Sequence, residues 1–288
     1  MLLEILLLIS FFGIIYSYAL YPLVLLLIPS RPVNTTGPRE ALRVALITTV
    51  HNEEKRIDEK IANTLALDYP PALLDIIIAS DCSTDATHDI VTQYADKGVR
   101  LIVAEQHLGK EYAQSCAINA TDADIVVFSD VATSIPQDSI YKIVDAFSDA
   151  GIGAVSSEDR FITQDSSIAG EGAYVKYEMW LRQQESERAG LVGLSGSFFS
   201  ARKAVCRQWD IYSPSDFNTA LNCAQLGYFA VTSPDVCGYY TDIKDSSKEY
   251  QRKLRTIIRG QTAMHRHPEV LNINKYCFFA LQTFFVPP

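Results

Sequence analysis

Between residues 42 and 161 the chain repeats one pattern: a short apolar run rich in β-branched residues, then a stretch of helical period. The first run, LRVALITTV ending at Val50, has no apolar/polar alternation, as required of a strand covered on both faces. Behind it Ile57, Ile61 and Leu65 recur every four residues with charges between them, the signature of an amphipathic helix. LLDIIIASD, ending at Asp81, is followed by a helix over Thr84–Lys97. VRLIVAE leads to a helix over Lys110–Ala120, and ADIVVFSD to one over Pro136–Ala150 with proline near its first turn. IGAVSSEDRF reads as a fifth strand. Such alternation predicts an α/β fold, a mostly parallel sheet wrapped by helices on both faces. Ligands of these sheets bind outside the carboxyl ends of the strands, so the residues to watch are His51 to Glu54, Asp81 and Asp130. Asp122 and Asp124 look like a ligand pair but begin the fourth strand. That is the far edge, roughly 20 Å away at about 3.3 Å per residue, and they read as a polar turn.

After Phe161 the pattern changes. Ile168–Ala189 reads as a long helix carrying Tyr174, Tyr177 and Trp180, followed by the small-residue loop GLSGSFF. SDFNTALNCAQLGY then opens with Ser215 as an N-cap and Asp216 in the first turn, with Phe217, Ala220, Leu221 and Ala224 on one face. At the start of the chain, Leu2 to Leu27 is apolar except for Glu4 and scattered hydroxyls, long enough to cross a bilayer. No basic residue precedes it and no small-residue cleavage site follows, which favours a retained anchor over a signal peptide. Arg31, Arg39, Arg43 and Lys55 follow the run, so the positive-inside rule predicts a cytoplasmic domain on the plasma or inner membrane. The expected division is an anchor at 1–30, a linker at 31–41, a globular domain at 42–262 and an apolar segment at 263–288. That last segment, too short to span, is expected to be interfacial or an incomplete membrane helix. In a cytoplasmic linker Asn34-Thr35-Thr36 is no glycan acceptor, and the six cysteines, without C-x-x-C spacing, are reduced thiols.

A net charge of -9 excludes nucleic acid as a partner of the whole surface. Basic residues gather late, at Lys244, Lys248, Arg252, Lys253, Arg255, Arg259 and Arg266, either as a solvated helix face or as a face for phosphate or lipid. There is no G-x-G-x-x-G after the first strand and no P-loop, so dinucleotide and NTPase readings lose support. The strand ends instead offer acids, HNEE, SDCSTD and SDVAT, suited to a ligand that brings a divalent cation or displays many hydroxyls. Asp85 reads equally as a helix cap or a ligand, His51 as packing, and His265 and His267 lack the third ligand of a zinc site.

Five segments, TTVHNEE, IIIASDCSTDAT, GKEYAQSCAIN before DIVVFSD, SGSFF and SDFNTALNCAQLGY, together resemble the family 2 glycosyltransferases from about Leu42 to Gly260. The resemblance implies a GT-A (nucleotide-diphospho-sugar transferase) Rossmann-like sheet with flanking helices, joined to an N-terminal transmembrane helix. It implies an inverting, hexosyltransferase-like activity on a nucleotide sugar, a UDP-sugar above all. The acceptor would be a hydroxyl of a glycan or lipid-linked molecule, in cell-surface polysaccharide or glycolipid synthesis among membrane lipids. By the same resemblance Asp81 holds the uracil, Thr49, Asn52 and Glu53 contact the nucleoside, and Lys110 lines the donor pocket. Asp130 is the first acid of D-x-D, holding Mg²⁺ or Mn²⁺ with the diphosphate, and Asp216 is the general base. Three positions depart from the pattern: Ala132 replaces the third D-x-D residue, Ser215 replaces the acid before Asp216, and Q-x-x-R-W is only echoed by Gln251 to Arg255. They argue against a processive polymerase. They also keep open a second reading, a nucleotide-sugar-binding pseudoenzyme or assembly subunit.

Overall fold

The computed structural model describes residues 2–33, 42–162, 173–241, 254 and 258–285. Strands β1 (Val44–Val50), β2 (Leu74–Ser80), β3 (Val99–Val103), β4 (Ile125–Asp130), β5 (Ile152–Ile162), β6 (Phe198–Arg202) and β7 (Phe229–Thr241) form one sheet in the order β3-β2-β1-β4-β6-β5-β7. β3, β2, β1 and β4 run parallel, β6 is antiparallel to both β4 and β5, and β5 pairs parallel with β7. The mostly parallel sheet expected from the alternation is present.

β1 shows why its sequence lacks alternation. Ala45 and Ile47 face one layer, with Ala113 and Ala117 of α5 (Lys110–Asn119). Val44 and Leu46 face the other, with Ile140 and Ile143 of α6 (Ser139–Ala146). All four strand residues are fully buried, each large side chain contributing about 1.5–3 kcal/mol by leaving water. On the β1–β2 flank, α3 (Ile57–Leu65) and α4 (Thr87–Thr92) cover Val50, Ile76 and Ile78.

Several boundaries differ from expectation. α4 is shorter than Thr84–Lys97 because Asp85 accepts from the Thr87 N–H (3.0 Å) and hydroxyl (2.5 Å), holding the preceding residues as a turn; Ala95–Lys97 is a separate 3₁₀ turn. α6 begins at Ser139, since Pro136 to Asp138 form a turn closed by Ser139 N–H to Pro136 O. Ser215 is the first residue of α8 (Ser215–Leu226) and Pro214 occupies the cap. β6 lies where a loop was expected to continue, and β7 was not anticipated.

The N-terminal apolar run is helical: α1 (Leu2–Ile15), a π-turn over Tyr16–Leu20, and α2 (Tyr21–Leu27). From Leu3 to Leu27 it is long and apolar enough to cross a membrane. α2 packs on α7 (Ala173–Arg188). The C-terminal helix Ile273–Phe285 buries Tyr276, Phe279 and Ala280 against Phe217 and Leu221 of α8. Asn34-Thr35-Thr36, Arg39, Ile168, Lys244, Lys248, Arg252, Lys253 and Arg255, with all of Gln251 to Arg255 but Leu254, lie outside the described residues.

Candidate active site

Strand register brings the predicted acids to one edge. Thr49 is opposite both Ala79 and Asp130, so the loops after β1 and β2 and the end of β4 emerge side by side. Asp122 and Asp124 lie at the opposite edge, where Asp124 accepts from the Arg43 N–H (2.9 Å) and Asp122 pairs loosely with Lys203.

From Asp81 a continuous line of contacts crosses the cleft. The Asp81 carboxylate is buried, accepts from the Gly109 N–H (3.2 Å) and meets His107 Nδ1 (2.9 Å). Gly109, at φ +102°, turns the chain into α5 in a conformation that favours glycine. The next residue, Lys110, sends Nζ to Asp130 Oδ1 (2.7 Å) and to Gly196 O (2.9 Å). Gly196 in turn lies against Asp216: a β-carbon placed on it would stand 2.8 Å from Asp216 Oδ2. Asp81, Lys110, Asp130 and Asp216 thus form one constellation. Burial pushes the Asp216 carboxyl above the ordinary carboxylate range, against the opposing pull of Lys110, the Phe217 N–H and Arg259.

The first loop behaves differently from the rest of the predicted set. Asn52, at φ +54°, accepts from Thr84 N–H through Oδ1 (2.8 Å) and donates its own N–H to Ser83. Glu53 chelates Arg56 through both oxygens and donates its N–H to Thr87 Oγ1. Both residues fasten the β1 loop to the β2 loop, and Asp85 joins them by accepting from Glu54 N–H. The Thr49 hydroxyl is buried with no hydrogen-bond partner among the described residues. His51 is exposed rather than packed, stacking on His107 at 4.4 Å with Nδ1 against Asp81 O. His51, Asp81 and His107 could by composition hold a metal ion. In the structure both Nδ1 atoms meet the Asp81 backbone carbonyl (2.7 and 3.1 Å), and His107 Nδ1 also meets the Asp81 carboxylate (2.9 Å).

Sequence reading missed three features. Lys60 of α3 is buried and donates to Ser129 Oγ and Thr133 O (both 2.6 Å), directly beneath the Asp130 loop; burial lowers its pKa to about 7, opposed by the charge of Asp130. Its signal was present, since Ile57, Lys60, Ile61 and Thr64 share the buried stripe of the helix. One turn on, Asn63 brackets Ile135, donating to its carbonyl (2.9 Å) and accepting from its N–H (3.0 Å). Asp159 on β5 gathers hydroxyls from Ser157, Ser195, Ser197 and Tyr240, bracing the loop that carries Gly196. Of the late basic residues, Arg259 pairs with Glu111 beside Lys110, and Arg266 with Asp210 (3.0 Å).

A hard divalent ion takes oxygen ligands, and Mg²⁺ is commonly held by one or two carboxylates with substrate phosphates and waters. Asp130, facing the cleft, supplies one such carboxylate and Ala132 supplies none. With Oδ1 already paired with Lys110 Nζ at 2.7 Å, Asp130 offers an ion a single free carboxylate oxygen, and the rest of its shell would have to come from a diphosphate and waters.

A parallel-rich sheet with acids at its carboxyl edge and a lysine at a helix start is the arrangement that the resemblance to GT-A glycosyltransferases implies. The profile of Glycosyl transferase family 2 matches residues 45–209, more than half of the chain, and the chain belongs to that family. Two curated relatives are similar at 28% identity: a beta-monoglucosyldiacylglycerol synthase of Synechocystis sp. over 170 residues, and a poly-beta-1,6-N-acetyl-D-glucosamine synthase of Staphylococcus aureus over 167. The matched segments cover 57% and 56% of this chain but 36% and 40% of those proteins, so the chain spans well under half of their length. Among solved structures, the mannosyltransferase PcManGT of Pyrobaculum calidifontis, in complex with GDP-Man and Mn²⁺, superposes with a TM-score of 0.76 at 23% identity. The match covers 98% of this chain and 79% of that one.

Proposed function

We propose that this chain transfers a sugar from a nucleoside diphosphate sugar, a UDP-sugar first among them, to a hydroxyl acceptor with inversion, in cell-surface polysaccharide or glycolipid synthesis. The observation that carries this reading is the set of contacts across one cleft: Asp81 with Gly109, the next residue Lys110 with both Asp130 and Gly196, and Gly196 against Asp216. Asp81 and the loops braced by Asn52 and Glu53 receive the nucleoside. Lys110 meets the diphosphate. Asp130 would hold Mg²⁺ or Mn²⁺, which when bound withdraws charge from the leaving diphosphate. Asp216 takes the acceptor proton as its oxygen attacks the anomeric carbon. Its raised pKa suits a base, and help of this kind is worth about 10²- to 10⁴-fold. Leu3 to Leu27 anchors the enzyme in the membrane, its domain in the cytoplasm.

The test is release of nucleoside diphosphate by the full chain from UDP-glucose, UDP-N-acetylglucosamine and GDP-mannose, each with Mg²⁺ or Mn²⁺. Asp216→Asn is expected to bind donor but lose turnover, and Asp130→Ala to lose both. Asp122→Ala with Asp124→Ala keeps both. Donor binding without turnover by the unaltered chain would favour the assembly-subunit reading instead, and an inactive Asp122/Asp124 variant beside an active Asp130→Ala would reverse the assignment of the cleft.

A further inference from the structure

Three loops at the ligand edge of the sheet bring nitrogen and oxygen ligands to one point. His51 follows β1, Asp81 follows β2 and His107 follows β3, and these strands are neighbours in the sheet. Both histidines turn Nδ1 toward the Asp81 backbone carbonyl, and His107 Nδ1 stands 2.9 Å from Asp81 Oδ2. One ligand atom from each residue lies within 4.8 Å of the other two. The carboxylate is the fixed member of the set. It is buried and its Oδ1 accepts from the Gly109 N–H (3.2 Å), which leaves Oδ2 on the histidine side. The histidines are the adjustable members, since both are exposed.

Two imidazoles and a carboxylate make a mixed set that suits zinc, with three protein ligands and a fourth position for water. Magnesium takes oxygen ligands, so this set differs in kind from the lone carboxylate of Asp130. Tetrahedral zinc, with bonds of about 2.0–2.2 Å, spaces its ligand atoms about 3.4 Å apart. Starting from 4.8 Å, the widest pair closes by at most about 1.4 Å. The rings, stacked at 4.4 Å with 24° between their planes, turn apart so that the ion lies in both planes, and their exposure permits it. Ligating carboxylates are usually hydrogen-bonded from outside the metal's own shell, as Gly109 does here. The Cys82 thiol, next in the chain to Asp81, does not join the set, because its Sγ faces Ala104 O (3.2 Å).

We propose that His51, Asp81 and His107 form a zinc site separate from the cation site at Asp130, and that zinc held there and the donor's nucleoside exclude one another. The exclusion rests on the placing of the nucleoside at Asp81 proposed above; the zinc site does not. Oδ2 is the carboxylate oxygen that Gly109 leaves free, and an ion on it takes the atom a base would use. Zinc would thereby regulate the enzyme by closing the donor pocket, without touching Lys110, Asp130 or Asp216.

The test is calorimetric titration of Zn²⁺ into the full chain, stripped of metal, free of any polyhistidine tag and held in excess Mg²⁺. One Zn²⁺ per chain is expected, with affinity falling at least about 10-fold in His51→Gln and in His107→Gln. His267→Gln serves as the control, since His267 meets Asp210 and Glu269 instead. Binding that survives both of the first two substitutions, or that fails in His267→Gln instead, overturns the site. Uridine and guanosine, which lack the phosphates that chelate zinc, are then titrated into the zinc-free and the zinc-loaded chain. Binding of either nucleoside to the zinc-free chain alone is the expected result. Equal binding to both forms overturns the exclusion and removes Asp81 from the nucleoside pocket, and no nucleoside binding to either form does the same. In both cases the zinc site stands or falls on the histidine variants.

Discussion

Lys60 places an ammonium group where α3 otherwise buries isoleucine, and desolvation costs such a group several kcal/mol unless partners compensate. Its partners are Ser129 Oγ and Thr133 O, the two flanks of the Asp130 loop, so the lysine fastens the acid's backbone from below. The sign of its effect on stability follows from the depressed pKa. Between about 7 and its ordinary value of 10.5 the folded chain holds fewer protons than the unfolded chain, so rising pH favours folding across that window. Lys60→Met lacks this gain. Wild type is expected to gain on the variant by at most about 1.4 kcal/mol per pH unit from neutral pH upward, read by denaturant unfolding along a pH series. A pH-independent difference would mean that Lys60 keeps its ordinary pKa in the folded chain and stays protonated there. The acids of the cleft were legible because strand polarity assigns Asp81 and Asp130 to one edge before any side chain is placed. Lys60 was not, because a lysine between two isoleucines reads as a solvated break in an apolar stripe until the loop above it is known.

At the level of elements, the loop between α7 and β6 concentrates the site's tolerances. Gly196 leaves room for Asp216 Oδ2 that a methyl group would occupy. Gly196→Ala is therefore expected to keep its melting temperature yet slow turnover by about 100-fold, since misplacing a reacting group by an ångström costs on that order. Unchanged initial rates would show that Asp216 can move aside at no cost. β1, β2 and β4 were read correctly because each is a largely continuous apolar run. β7 escaped because Pro234 and Gly238 argue against a strand, and the structure accommodates the proline in an irregularity: Ser156 pairs with Thr232 but Glu158 already with Cys237. β6 escaped for a simpler reason, being a five-residue strand that continues a run of small residues. Tyr240 meets Asp159 from β7, and Ser195 and Ser197 meet it from the loop before β6, so that cluster depends on a strand the sequence did not display.

For the whole molecule the N-terminal helix sets the experiment. Full-length chain expressed in bacteria is expected in the membrane fraction after carbonate washing, and recovery in the wash would remove the anchor from the proposal. The sequence displayed this helix plainly, but not its docking, which depends on Tyr21 meeting Glu185 and Gln282 from opposite ends of the chain. Strand order has a further effect, on how the chain acquires its shape. β1 to β4 lie contiguously on one side of the sheet, and all of them have been made by residue 130. β5 has no partner among them; its place is fixed only when β6, made later, slips between β4 and β5. During synthesis from the N-terminus the half of the sheet formed by β1 to β4 can therefore form early, while β5 waits with an apolar edge uncovered until Phe198 to Arg202 emerge. Chains halted between residues 162 and 198 should present that edge to chaperones, whereas chains halted just after β4 should already resist proteolysis.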